Sequence, residues 1–473
     1  MINFENTYSK LPDRFFERVL PTAAVAPTLM AFNEELAEEL GIEHAPAGKL
    51  AKVFSGEEIL DGSEPLAMAY CGHQFGHFNP SLGDGRAHLL GEVVSKSNER
   101  YDIQLKGSGR TKFSRGGDGL SWLGPVVREY IVSEAMHHLG VPTTRALCAV
   151  RTGAPVFRED ELPGAIFTRV AKGHLRVGTF EYFSARSEED LKTLADYAIN
   201  RHDPDLNGQD HKYHKFFERV VKRKLSLVAK WMGLGFIHGV MNTDNTSIAG
   251  ITIDYGPCAF MDKFNRNKVF SSIDRHGRYS YSNQGAIALW NMSVLANALF
   301  PLLLKESREG TEKAALRLQD DFKLYEKFYQ NEYLKAMASK FGISSPVESD
   351  LKIINMFLDV LESDQLDFTN SFRGLNTLDH QNEEFKRLWR ERLDEQGHSD
   401  EDVVKRMNNS NPYLIPRNHQ VAKAIEESLE GNDDYFLSLV KAYKNPFVED
   451  EKLKHLTLEP APSELVHQTF CGT

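Results

Sequence analysis

Residues 238–256, with the sequence HGVMNTDNTSIAGITIDYG, restrict the choice of fold more than any other stretch. They place Asn245 in a polar loop and, nine positions later, Asp254 directly before a tyrosine and a glycine. Amide and carboxylate oxygens are hard ligands of the kind that Mg²⁺ prefers. The stretch therefore predicts a site for a metal-bound phosphate. A plain polar turn at 242–245 is the simpler alternative, because Asn, Thr and Asp favour turns.

Composition indicates an ordinary globular protein. Of the 473 residues, 41% are hydrophobic and 26% are charged, and this length usually corresponds to two or three packed units. The net charge of −11 gives no general attraction to nucleic acid or to anionic lipid, so we expect neither as a partner. Four cysteines without metal-type spacing are typical of a reducing compartment, and we expect a cytoplasmic protein.

The most apolar run predicts a buried helix and not a membrane span. Residues 286–304 are rich in Leu and Ala, but Asn291, Asn297 and Pro301 interrupt them. The first 16 residues contain no apolar segment after a basic start, so they do not resemble a signal peptide. We expect no membrane contact.

The pattern of apolar residues and glycines predicts an α+β fold in four parts. Short apolar stretches joined by glycines indicate strands, and residues 123–140 form one helical pattern that starts near Pro125 and stops at Gly140. Helical periodicity dominates after about residue 185, except that Ile251 and Ile253 suit a short strand or hairpin delivering Asp254. The four predicted parts are an N-terminal extension, a sheet lobe with one helix, a helical lobe, and a C-terminal helical region with a tail: 1–65, 66–180, 181–310 and 311–473.

A lysine at the end of a strand is the second candidate site residue. Lys106 ends the alternating stretch YDIQLKG, where its ammonium group can reach nucleotide phosphates. Glu129, on the helix that follows, is the kind of partner that positions such a lysine. Glu134 is a rival, since five residues turn it about 140° around the helix from Glu129. Helical geometry alone does not choose between them.

Glycine-rich segments and local positive charge surround this lysine. The segments 82–92 and 106–124 can expose backbone N–H groups to phosphate oxygens, and Arg86 adds a planar donor. Tight turns explain the same glycines. Three further cations occur within eight positions, where they suit either a triphosphate or a solvated loop: Arg169, Lys172 and Arg176.

Two histidines with helical spacing, His73 and His77, lack the acidic third ligand of a zinc motif, so we expect a structural role for them.

Taken in order, the strand lysine, helix glutamate, HG-x5-N loop and DYG triplet have the logic of a protein-kinase-like fold. Over most of its length the chain also resembles the selenoprotein O family, also called YdiU, of kinase-like protein adenylyltransferases. The resemblance is carried by CGHQFGHFNPSLGDGRAHLLGE, QLKGSGRTKFSRGGDG, REYIVSEAMHHLGVPTTRAL, HGVMNTDNTSIAGITIDYGP, YSNQGAIALWN and NPYLIPRNHQVAKAI.

The resemblance implies a two-lobed, pseudokinase-type fold and a specific reaction. ATP would bind in a reversed orientation, so that AMP passes to Ser, Thr or Tyr hydroxyls of target proteins and pyrophosphate leaves. Glu129 would pair with Lys106, Asn245 and Asp254 would hold Mg²⁺ or Mn²⁺, and Asp244 would be the base. The implied ATP-binding residues are Gly83, Gly85, Arg86, Lys106, Asp118, Gly119, Arg169, Arg176 and Asp254.

Two other functions are compatible with the same motifs. One is a conventional kinase-like phosphotransferase, but the base of a kinase lies five residues before the asparagine, and Val240 occupies that position. The other is a non-catalytic pseudokinase scaffold that only binds nucleotide; the intact Lys106, Asn245 and Asp254 argue against it.

The resemblance also implies a redox pair near the C-terminus. Some relatives cross-link a tail cysteine to one after the DYG triplet. Here Cys471 is the tail cysteine, and Cys258, beside Pro257, is the candidate partner. A thiol that forms no disulfide is the alternative.

Overall fold

The computed structural model describes residues 1–375 and 382–466. Helices and antiparallel strands occur together, which confirms the predicted α+β class. The strands are β1 Phe16–Arg18, β2 Thr28–Phe32, β3 Leu66–Met68, β4 Gly72–Gln74, β5 His77–Asn79, β6 Ala87–Val94, β7 Arg100–Lys106, β8 Arg145–Phe157, β9 Glu161–Ala171, β10 Phe236–His238 and β11 Cys258–Phe260. The helices are α1 Glu34–Glu39, α2 Ala47–Phe54, α3 Leu123–His138, α4 Val177–Ser184, α5 Glu188–His202, α6 Lys212–Gly233, α7 Gln284–Ser307, α8 Thr311–Lys340, α9 Asp350–Ser363, α10 Phe368–Arg373, α11 Glu383–Gln396, α12 Asp400–Ser410, α13 Asn418–Leu429 and α14 Asp434–Ala442.

Seven strands form one antiparallel sheet in the order β1-β3-β6-β7-β9-β8-β2. Side chains alternate between the two faces of a strand. Ile103 and Leu105 of the central strand β7 pack with α1 and α2 on one face. Gln104 and Lys106 therefore point to the other face, where the sheet meets α3. Residues 1–65 thus supply both edge strands of the sheet and the helices that cover one face.

Helix α3 is held between the sheet and the C-terminal helices. Pro125 lies in its first turn, and Gly140, with φ +75°, follows its end, as the sequence predicted. Tyr130 packs against Phe167 of the sheet and, edge to face at 5.4 Å between ring centroids, against Phe436 of α14. Residues from α13 belong to the same apolar cluster. The C-terminal helices therefore fix the helix that carries Glu129.

The predicted apolar helix is α7. Together with the turn before it, this helix spans Tyr281–Ser307, the one segment of the described residues that is long and apolar enough to cross a membrane. Half of its most apolar stretch is buried inside the protein. Its buried Asn291 donates hydrogen bonds to the Met241 carbonyl and to the Thr246 hydroxyl, both 2.9 Å. Helix α7 therefore supports the loop around Asn245.

The strand expected before Asp254 is not formed. Ser247 and Thr252 make only isolated bridges, with Arg176 and Thr143 respectively. Ile253 is buried, so its apolar character reflects burial and not a ladder. Asp254 itself has φ +65°, in the left-handed region that regular strands do not use. The adjacent two-stranded ladder consists instead of β10 and β11, which flank this segment.

Candidate active site

Three cations from three segments converge on the carboxylate of Asp254. Lys106 Nζ, at the end of β7, donates to Asp254 Oδ1 at 2.7 Å, and Arg169 Nη1, from β9, donates to the same oxygen at 2.7 Å. Arg176 Nη1, directly before α4, donates to Oδ2 at 3.0 Å. Burial alone would raise the pKa of Asp254, but the three cations outweigh it and hold the pKa well below its usual value. Asp254 is therefore ionised at neutral pH.

The structure brings Glu129, and not Glu134, to this cluster. Lys106 Nζ donates to Glu129 Oε2 at 2.6 Å, and Arg169 Nη1 lies 3.4 Å from the other oxygen. Glu134 instead accepts two hydrogen bonds of 2.9 Å from Arg145 and one of 2.8 Å from the backbone N–H of Ala146. The structure therefore decides between the two glutamates: Glu129 lies beside Lys106 and Arg169, whereas Glu134 pairs with Arg145.

The glycine turn at 82–87 packs tightly against the second glycine-rich segment. Gly83 has φ +68°, and a Cβ there would lie 2.3 Å from the Phe113 ring. A Cβ on Gly85 would lie 2.8 Å from the Phe113 carbonyl oxygen. Arg86 shares one pocket with Lys106, Glu129 and Tyr255. The sequence therefore requires glycine here for close packing as well as for exposed N–H groups.

Sequence analysis missed Asp84, which lies between these two glycines. It is buried, and its Oδ2 accepts hydrogen bonds from the Met68 N–H and the Gln104 amide, both 3.1 Å. Burial raises the pKa of Asp84, and Arg176, 3.9 Å away, opposes that effect. The missed residue links the glycine turn to the cation cluster.

Two of the predicted charged residues have partners elsewhere. Asp118 forms an ion pair with Arg158 at 2.7 Å and accepts from the Leu120 N–H at 2.9 Å. Lys172 pairs with Glu99 at 2.6 Å. Gly119, the neighbour of Asp118, has φ +71° and packs against the Gly109 carbonyl, so its place in the turn requires glycine.

Arg176 connects Asp254 to the loop that carries Asp244 and Asn245. Its Nη1 also donates to the backbone carbonyl of Asp244 at 2.6 Å. The Asn245 amide donates to the Val240 carbonyl at 3.2 Å, which keeps the loop closed on itself. Val240 is buried, so neither its chemistry nor its position provides a base.

Asp244 differs from Asp254 in having little compensating charge. It is 6% exposed, and burial raises its pKa to about 6, although a hydrogen bond from Gln74 and the charge of Arg176 oppose the shift. The Gln74 amide donates to Oδ2 at 3.0 Å. Among the described residues, Oδ1 has no hydrogen-bond partner. A carboxyl group with a pKa near neutrality is suited to proton transfer.

The hairpin β4–β5 packs on this loop, which sequence analysis did not predict. Phe75 and Gly76 have φ +51° and +86°, as a two-residue hairpin turn of type I′ requires. His73 Nδ1 is hydrogen-bonded to Glu181 at 2.7 Å, and His77 is exposed. The turn pattern Q-F-G-H could have indicated the hairpin, but nothing in the sequence indicates its contact with residues 170 positions away.

His238 orients the segment before Asp254. Burial lowers the pKa of His238 to about 4, so the imidazole is neutral. Its Nε2 lies 2.8 Å from the Ile253 carbonyl oxygen, to which it donates, and its ring stacks on Trp231. This contact fixes the residue immediately before the unusual backbone conformation of Asp254.

Asn245 and Asp254 alone could hold a metal ion only if substrate phosphates or water supplied its other ligands. The described residues contain no group of three or more His, Cys, Asp or Glu side chains that could hold a metal. Mg²⁺ commonly binds through one or two carboxylates together with substrate phosphates and water. Asn245 and Asp254 fit that pattern in chemistry, with oxygens on two segments that Arg176 joins.

Cys258 is buried in β11. Cys471 lies outside the described residues, so the redox pair stays a prediction.

Comparison with known proteins identifies the family. The family model described as protein adenylyltransferase SelO matches residues 1–444. Protein nucleotidyltransferase YdiU of Bacillus cereus is 47% identical over 485 residues, covering 100% of this chain and 98% of the relative. The YdiU protein of Nitrobacter hamburgensis is also 47% identical, covering 100% and 96%. That of Rhizobium etli is 46% identical, covering 99% and 97%. The chain therefore belongs to the SelO family, and its activity is that of a protein adenylyltransferase.

Proposed function

We propose that this enzyme binds ATP with its triphosphate at the Lys106–Arg169–Arg176 cluster and transfers AMP to Ser, Thr or Tyr hydroxyls of other proteins. The observation that carries the proposal is the convergence of these three cations on Asp254, beside a loop whose only candidate base is Asp244. Lysine and arginine groups neutralise phosphate oxygens, and this neutralisation supplies most of the catalysis in phosphoryl-type transfer. The fold that would hold this site is the kinase-like, two-lobed one, divided along the chain at about residues 65, 180 and 310.

The nucleotide would bind in the orientation opposite to that in kinases. The cation cluster lies deep, where Lys106 is 12% exposed and Arg169 is 1% exposed. Deep cations favour the most highly charged part of ATP, which is the β,γ end. The turn with Gly83, Gly85 and Arg86, and the turn with Asp118 and Gly119, would then line the remainder of the nucleotide. This orientation presents the α-phosphorus to the acceptor.

Asn245 and Asp254 would hold Mg²⁺ or Mn²⁺. When bound, this cation would neutralise phosphate oxygens of ATP. The protein's own contribution is to keep Asp254 ionised: the three cations hold its pKa well below the usual value against the effect of burial. Phosphate oxygens would take over part of the hydrogen bonding that these cations now give to Asp254.

Asp244 would accept the proton of the acceptor hydroxyl. As that proton moves to the carboxylate, the hydroxyl oxygen forms a bond to the α-phosphorus. The bond from this phosphorus to the bridging oxygen then breaks, and pyrophosphate leaves with the electron pair. A pKa of about 6 leaves Asp244 mostly ionised at neutral pH while keeping it basic enough to accept a proton.

The partners would be ATP and proteins, in the cytoplasm.

Incubation with ATP labelled separately at the α- and γ-phosphate tests the proposal. We expect protein-bound α-label with the wild type and loss of that label in Lys106→Met. Lys172→Met is a matched control, because Lys172 pairs with the exposed Glu99 and should leave transfer unchanged. Protein-bound γ-label without α-label would contradict the proposal and support a kinase.

A further inference from the structure

A hairpin for which the reaction has no evident use lies directly on the loop of Asp244. We propose that Gln74 is a positioning residue for Asp244, and that hairpin β4–β5 is the element that aims this carboxylate at the acceptor hydroxyl. The inference rests on the proposed role of Asp244 as base. It adds a residue from the sheet-rich part of the chain, 170 positions away, to that role.

The first observation is that the two carboxylate oxygens of Asp244 differ in their hydrogen bonding. Gln74 Nε2 donates to Oδ2 at 3.0 Å. Oδ1 is buried and has no hydrogen-bond partner among residues 1–375 and 382–466. A buried carboxylate oxygen without a donor costs free energy unless something binds it during function. By holding Oδ2, the Gln74 amide fixes the rotation of the carboxylate.

The second observation is a glycine whose backbone conformation does not require it. Gly72, two positions before Gln74, does not have a positive φ, so an alanine could adopt the same conformation. A Cβ at Gly72 would, however, lie 2.6 Å from Asp244 Oδ1 and 2.9 Å from Asp244 Cβ. Real Cβ contacts are not this short, so an alanine would displace the side chain. Glycine is needed here for the close approach of hairpin and carboxylate.

The third observation is that the hairpin backbone holds the neighbours of Asp244. The His73 N–H donates to Thr243 Oγ1 at 2.7 Å, and the Phe75 N–H donates to Asn242 Oδ1 at 3.0 Å. Hairpin and loop are therefore joined at three consecutive loop residues. An element fixed at this many points can hold a catalytic group within the small tolerance that proton transfer needs.

The test uses the full-length protein with α-labelled ATP and one acceptor protein that the wild type modifies. Gln74→Met keeps the length of the side chain and removes its donors. We expect kcat to fall about 10-fold to 100-fold, the usual effect of losing a residue that orients a functional group, while ATP affinity changes less than about twofold. His77→Gln is the matched control: His77 is exposed and lies opposite Gln74 in the hairpin, so kcat should not change. Wild-type kcat in Gln74→Met would overturn the inference.

A double-mutant cycle separates positioning from a general structural effect. If Gln74 acts through Asp244, adding Gln74→Met to Asp244→Asn should lower the residual transfer no further. Independent, multiplying losses would overturn the inference. Gly72→Ala reaches the same carboxylate from the side of Oδ1 and should also lower kcat at unchanged ATP affinity; full activity there would contradict the close packing.

The proposed function can fail separately. Absence of α-label transfer by the wild type would overturn that function, and this inference with it. If the wild type transfers AMP and Gln74→Met transfers it equally fast, this inference alone is overturned.

Discussion

Two aspartates ten positions apart, Asp254 and Asp244, are both largely buried, yet their surroundings give them opposite properties. Asp254 has three cations within 3.0 Å of its carboxylate, and its pKa lies well below the usual value. Asp244 has one amide donor, and its other oxygen has no hydrogen-bond partner in the described part of the chain; burial raises its pKa to about 6. The same side chain thus stays ionised in one place and, in the proposed reaction, would accept a proton in the other.

The comparison teaches that the number of cations, and not burial, separates the two roles. Burial favours the neutral form of both carboxyl groups. Only at Asp254 do cations from β7, β9 and the start of α4 supply enough positive charge to reverse this effect of burial on the pKa. Each of the following predictions changes one side of this contrast.

Asp254→Asn should have the largest effect. We expect α-phosphate transfer to fall at least about 10³-fold, because the charge that organises Lys106, Arg169 and Arg176 is lost. Removing one partner of buried ion pairs also destabilises a protein, here by about 3–5 kcal/mol, measured by denaturant unfolding. Asp205→Asn is the control: Asp205 pairs with Arg219 at the exposed surface, so activity and stability should not change. A stable Asp254→Asn variant would show that the cation cluster does not depend on this carboxylate.

Asp244→Asn should lower transfer by about 10²-fold to 10³-fold, the usual contribution of a general base. We expect ATP affinity to stay within about threefold, because Asp244 makes no ion pair with the three cations. The measurement is kcat with labelled ATP together with a separate binding titration. A parallel loss of ATP affinity would instead place Asp244 with Asp254 as part of the nucleotide site.

Stability should depend on pH in opposite ways at the two aspartates. For Asp244 the folded pKa of about 6 exceeds the ordinary 3.8, so between these values the folded protein holds a proton that the unfolded chain has released. The metal-free wild type should therefore lose about 2 kcal/mol relative to Asp244→Asn as pH rises from 4 to 6.

For Asp254 the folded pKa is depressed, so its stabilisation is present above about pH 4 and declines as pH falls further. Denaturant unfolding of the wild type and of both asparagine variants, from below pH 4 up to pH 6, measures how the stability contribution of each aspartate changes with pH. Slopes of equal sign would contradict the contrast.

Glu129→Gln should have the smallest effect on transfer, a loss of about tenfold, because Lys106 keeps Asp254 as a second partner. Glu134→Gln is the matched variant on the same helix. It should leave transfer within about twofold but lower stability by about 1–3 kcal/mol, since Arg145 loses its buried counter-charge and one of the two acceptor oxygens becomes an NH2 donor. Steady-state transfer assays and denaturant unfolding of both variants check this. Equal effects of the two changes on kcat would contradict the assignment of Glu129 to Lys106.

The sequence predicted the long helices correctly and failed where backbone partners come from far away. Helices α3 and α7 follow local rules: a proline in the first turn and a glycine after the end for α3, and a long, mostly apolar run for α7. The segment with Ile251 and Ile253 has strand-like composition, yet it forms only single bridges to distant residues. Strand formation depends on an adjacent strand, which periodicity within the segment cannot supply.

Chain order was enough to predict Lys106, Asn245 and Asp254 as site residues, because the chemistry of phosphate and metal binding allows few residue types and this order is specific. It could not choose between Glu129 and Glu134, nor indicate Asp84, Gln74 or Gly72. Those assignments depend on distances between segments far apart in the chain, and such distances exist only after β7, α3 and hairpin β4–β5 have packed around the loop of Asp244. The pKa contrast between the two aspartates arises in the same way, because burial and neighbouring charge are properties of the folded protein.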